Sequence, residues 1–190
     1  SNSYTAAIPI SAEAMVFPAE AEQTVYLFNT GTRDQWRKLN GTNIPGYKSG
    51  QYLSVPLNLG GQNEFPDKIP STHAFMILTE GEGNLNINYS ELTKNTKVNR
   101  GDGSQIVTRS VDSNSNTSVS EAPNAKQQLP SLVMDVIGEE SADRVWIFQK
   151  EGTSHNFNNG WDGRKMLEDG IAQLYVNATD ESKLQVATVP

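Results

Sequence analysis

Three oxygen-bearing side chains, Asn158, Asn159 and Asp162, fall within one glycine-punctuated stretch, Phe157-Asn158-Asn159-Gly160-Trp161-Asp162-Gly163-Arg164-Lys165-Met166. Such oxygens are the ligands that a hard cation such as calcium takes. The same residues also have a structural use. Asn159-Gly160 tolerates positive φ, Gly163 frees the backbone after the bulky Trp161, and Asp162 is placed to accept backbone N–H bonds or to pair with Arg164. Short motifs match by chance, so the structural use is the expected one, and calcium is the only cofactor the sequence suggests.

Other groupings point to binding more than to catalysis. Asp112, Asn114 and Asn116 have the alternate spacing that opens a calcium loop, but Thr117 stands where the turn needs glycine and Pro123 where a bidentate Glu should close the cage. Arg100-Gly101-Asp102 is the tripeptide that animal integrins recognise, set between two strand-like runs, although a hairpin would need Gly and Asp there anyway. Trp36, Tyr47 and Tyr52 are the aromatics best placed to stack on sugar rings, with Trp36 in the polar setting Arg33-Asp34-Gln35-Trp36-Arg37-Lys38. Trp146, inside Val145-Trp146-Ile147-Phe148, reads as core.

Nothing assembles a reaction centre. The only two histidines, His73 and His155, lie in different elements and belong to no H-x-x-x-H pair or Gly-x-Ser-x-Gly elbow. A glycoside hydrolase needs two carboxylates about 5 to 9 Å apart across a cleft, and sequence alone cannot choose a pair from 22 acidic residues. Glu80-Gly81-Glu82 reads more simply as a hairpin turn. The absence of cysteine excludes disulfides, thiolate catalysis and thiolate metal sites. A net charge of −7 with scattered Lys and Arg argues against nucleic acid, and no apolar run is long enough to enter a membrane as a helix.

The elements that must position these residues are short strands. Leu85-Asn86-Ile87-Asn88-Tyr89 alternates apolar and polar residues with the period of a half-buried strand. Similar runs occur at 24–29, 51–57, 73–79, 104–109, 132–137, 144–149, 171–176 and 183–188, each bounded by Gly, Pro, Asn or Ser. The two helix candidates, Ser11 to Met15 and Arg164 to Asp169, are too short to build a layer. The pattern predicts an all-β fold, an antiparallel two-sheet β-sandwich of jelly-roll type, as one domain over 1–190 with a seam in the polar loop 112–123. Functional loops are expected at the sandwich ends, chiefly 95–103 and 112–123.

The last third of the chain carries a likeness to a known module. Leu132-Val133-Met134-Asp135-Val136, Asp143-Arg144-Val145-Trp146-Ile147-Phe148, the Phe157 to Met166 loop, Gln173-Leu174-Tyr175 and Leu184-Gln185-Val186-Ala187 together resemble a β-sandwich module of exported and cell-surface Bacteroidetes proteins, of the type associated with type IX secretion. Ile69 to Ile77 and Gly83 to Ile87 resemble the strand pair that precedes it there, and together these segments cover somewhat over half the chain. The sequence departs at Asn158, where similar sequences place Asp, and at Thr72-His73-Ala74, which replaces a Gln-Gly pair. The resemblance implies a secreted or cell-surface location outside the outer membrane, a larger parent chain and no known activity. The expectation is therefore a non-enzymatic structural or adhesive module whose partner is a glycan or a host or cell-surface protein. A carbohydrate-binding module and a glycoside-active hydrolase domain stand as alternatives.

Overall fold

The computed structural model describes residues 1–29, 51–92, 97–99, 105–107, 128–137 and 142–190. In chain order the strands are β1 (Ile8–Pro9), β2 (Met15–Val16), β3 (Thr24–Phe28), β4 (Tyr52–Pro56), β5 (Lys68–Ile69), β6 (Phe75–Met76), β7 (Asn86–Ile87), β8 (Lys97–Asn99), β9 (Gln105–Val107), β10 (Ser131–Ile137), β11 (Ala142–Gln149), β12 (Gly163–Arg164), β13 (Val176–Asn177) and β14 (Lys183–Val189). Helix is limited to one turn at Tyr89–Leu92 and one 3-10 turn at Leu57–Leu59.

Two sheets hold the core. β3 lies between β4 and β6, and the larger sheet runs β10-β11-β14-β12 with β13 also on β14. Val25, Leu27, Leu53 and Val55 from the first sheet and Trp146, Phe148 and Val186 from the second meet in one buried cluster. Phe65 packs its ring 5.2 Å from Trp146 and 5.8 Å from Phe148. This is the expected all-β sandwich, and Trp146 is core at 2% exposure. One pairing has the other sense: β11 and β14 run parallel, Trp146 opposite Val186. A parallel pair needs a long crossover, and here residues 150–182 supply it, carrying the Phe157 to Met166 loop.

Several expected elements differ in detail. Ser11 to Met15 is a single turn, Ala14 and Met15 N–H both bonding Ser11 O, because β2 takes up Met15 to pair with Ile87. Arg164 to Asp169 is not helical, since Arg164 sits on the β14 ladder opposite Leu184. The alternating run 85–89 pairs only at Asn86–Ile87. Asn88 ends it by accepting the Ser90 N–H at 3.2 Å, which starts the helical turn. The run 171–176 contributes only Val176 to a strand. Glu80-Gly81-Glu82 is no hairpin, because β6 before it and β7 after it pair in different sheets. The seam proposed for 112–123 lies outside the described residues.

Candidate functional site

The Phe157 to Met166 loop is where the sequence signals converge. It leaves β11, turns at Gly160 with φ +82°, and enters β12. Asp162 is 1% exposed and is the hub of the turn. Its carboxylate accepts the backbone N–H of Asn158 at 2.7 Å and of Thr188 at 2.6 Å, and the Asn158 side-chain amide at 3.0 Å. Burial pushes its pKa above the ordinary carboxylate value, and the donors from Asn158 and Thr188 oppose that rise. Asn158 in turn accepts from Ser154 N–H at 2.9 Å and donates to the carbonyls of Ser154 and Asn156.

Asn159 is exposed, yet its side chain crosses to the other half of the chain, accepting Gln23 N–H at 2.6 Å and donating to Ala21 O at 3.1 Å. Gly160 O accepts Asn58 N–H at 3.0 Å, Asp162 O accepts Thr24 Oγ1–H at 2.9 Å, and Arg164 O accepts Ser54 Oγ–H at 2.6 Å. Every oxygen of the Asn158, Asn159 and Asp162 side chains thus faces a protein donor. The donor set is arranged to stitch the two sheets together, and these oxygens do not converge as ligands of one cation. Among the described residues, no group of three His, Asp or Glu side chains lies close enough to hold a metal ion.

Arg164 does not pair with Asp162. Its guanidinium bonds the Glu22 carboxylate and Ser182 Oγ and stacks 4.4 Å from the Phe157 ring centroid. Glu22 also accepts from the Tyr26 hydroxyl at 2.8 Å, and burial followed by Glu22 raises the Tyr26 pKa well above its ordinary value.

Gly163 is required for a reason other than φ. A Cβ there would lie 2.6 Å from Ser54 Cβ and 3.4 Å from Thr24 Cγ2, so glycine lets β12 lie against β3 and β4. Gly163→Ala is expected to lose about 1–3 kcal/mol of stability through this overlap, read as a lower denaturant midpoint at unchanged slope.

Sequence reasoning missed the most deeply buried charges. Asp143 at the start of β11 is 0% exposed, and its carboxylate meets the Lys165 ammonium, whose side chain is 2% exposed. Asp143 also accepts Leu174 N–H at 2.7 Å and Arg144 N–H at 2.9 Å. Burial lowers the Lys165 pKa and Asp143 opposes that shift. The available signal was a charge at each end of an apolar segment, Asp143 before Val145 to Phe148 and Lys165 after Gly163. Gln185 was also missed. It is fully buried in β14, accepts Ser54 N–H at 2.8 Å and donates to Tyr52 O at 3.3 Å, joining the sheets.

Of the residues proposed for binding, Tyr52 is half-buried on β4 with its ring edge-on to Phe28 at 5.2 Å. Trp36 and Tyr47 lie outside the described residues, as do Arg100, Gly101 and Asp102. The strands flanking that tripeptide do pair, Asn99 opposite Gln105. No described helix is long and apolar enough to cross a membrane.

No family model matches the chain, and no solved structure matches it. Among curated proteins it is similar to the Minor fimbrium subunit Mfa5 of Porphyromonas gingivalis, with 54% identity in an alignment that takes in the whole chain. The chain spans 15% of that protein's length. The relative is a Bacteroidetes surface protein, the group to which the Phe157 to Met166 resemblance pointed.

Proposed function

We propose that this chain is a non-enzymatic structural module of a secreted or cell-surface assembly of the fimbrial kind. The observation that carries the reading is the 54% identity, without a gap in coverage of the chain, to a fimbrium subunit. The geometry agrees with it: the polar side chains of the signature loop bond to the protein's own backbone, an arrangement that resists separation of the sheets and leaves no reacting group presented. An antibody against the chain is expected to label intact cells of the source bacterium. Labelling that appears only after permeabilisation overturns the reading.

The adhesive form of the proposal rests on Arg100-Gly101-Asp102 between the paired strands β8 and β9. Asp102→Ala is expected to abolish binding of the purified chain to immobilised integrin, and equal binding by both forms removes this part while leaving the structural role in place.

A further inference from the structure

We infer that β10 is a docking edge for an extended, mostly apolar strand of a neighbouring module, one that carries a lysine or arginine opposite Glu64. The inference rests on the reading of the chain as one module packed against others. β10 ends the five-stranded sheet and, among the described residues, pairs only with β11, Met134 opposite Val145. Leu132 is 55% exposed, Val133 38%, Met134 41% and Ile137 46%, so apolar side chains stand out on both faces of one seven-residue strand.

Sheet edges are ordinarily blunted by lysine, proline, bulges or brevity, because a bare edge is a template for another strand. The opposite edge follows that rule: β12 has two residues and a register shift between Gly163 and Arg164. β10 has none of these devices. Its register with β11 is unbroken from Ser131 to Ile137, and it contains neither lysine nor proline. A strand laid along it would gain a ladder of main-chain hydrogen bonds and cover the exposed apolar groups.

Charge selects the occupant. Arg144 reaches across from β11 to hold the carboxylates of both Asp135 and Glu64, so one guanidinium serves two carboxylates and Glu64 remains half exposed. A second copy of this chain would bring the same acidic edge and a net charge of −7 against its own kind. A strand with a basic residue at that position neutralises the excess instead.

Two synthetic hexapeptides test this, one of alternating Val and Thr with a central Lys and one with Glu in its place, added to the folded chain while amide exchange is followed. The Lys peptide is expected to slow exchange within 131–137 and to bind about tenfold more tightly than the Glu peptide. Glu64→Lys, a change at an exposed site, is expected to invert that order. Equal binding, or no slowing by either peptide, overturns the inference. So does slowing that depends on the chain's own concentration alone, which would make a second copy the occupant. The antibody test of surface location does not involve β10, so the two readings fail separately.

Discussion

Replacing Lys165 by Met is expected to remove about 3–5 kcal/mol of folding stability, the range found when one member of a buried ion pair is deleted. Methionine keeps the length of the side chain but leaves the Asp143 carboxylate at 0% exposure with only the N–H groups of Arg144 and Leu174 for partners. At this chain length the loss corresponds to a fall of roughly 10 °C in the melting midpoint. The discriminating comparison is the double variant Asp143→Asn with Lys165→Met. It withdraws both charges while keeping an oxygen for the two N–H donors, so it is expected to recover a large part of the loss. A double variant no better than Lys165→Met alone would show that packing, not the orphaned charge, sets the penalty.

That pair also marks where sequence reading stopped. Strand positions followed from local apolar runs: the run 24–29 became β3 at Thr24–Phe28, 51–57 became β4 at Tyr52–Pro56, and 183–188 became β14 at Lys183–Val189. Period-two burial is a local property and survives into the fold. The strands left unread, such as β1 at Ile8–Pro9 and β5 at Lys68–Ile69, have two residues each, too few to show a period, and they exist because they find each other across the chain, Ile8 opposite Ile69. The sense of the β11–β14 pairing is equally non-local.

The candidate site divides in the same way. That Asp162 caps backbone N–H groups was legible from its place beside Gly160 and Gly163, whereas its partner Thr188 lies at the far end of β14. The bonds from Asn159 to Ala21 and Gln23, and from Gln185 to Ser54, join positions more than 130 apart in sequence, so only the folded topology reveals them. Buried polar residues are the hard case for pattern reading. A hydrophilic side chain is taken for exposed unless its partner is known, and the partner here is usually a backbone group on another strand.

The second large effect is expected at Asp162. Asp162→Ala orphans the N–H groups of Asn158 and Thr188 at a site 1% exposed, and the loss of bonds to a carboxylate there is expected to amount to about 3–5 kcal/mol by denaturant unfolding. The effect carries a pH signature of defined sign. Burial raises the folded-state pKa of Asp162, so the folded protein holds that proton more tightly than the unfolded chain does. The stabilising contribution of the residue is then complete below the ordinary Asp value, about 3.9, and declines as pH rises through the higher folded value. The stability gap between the wild type and Asp162→Ala is accordingly expected to be widest in acid and to narrow toward neutrality. Salt bridges such as Arg164 with Glu22 and Arg144 with Asp135 are present in both proteins, so their own titration cancels in the difference. A gap that widens with rising pH would mean that the N–H bonds to the ionised carboxylate outweigh its burial, reversing the order of the two influences on this residue.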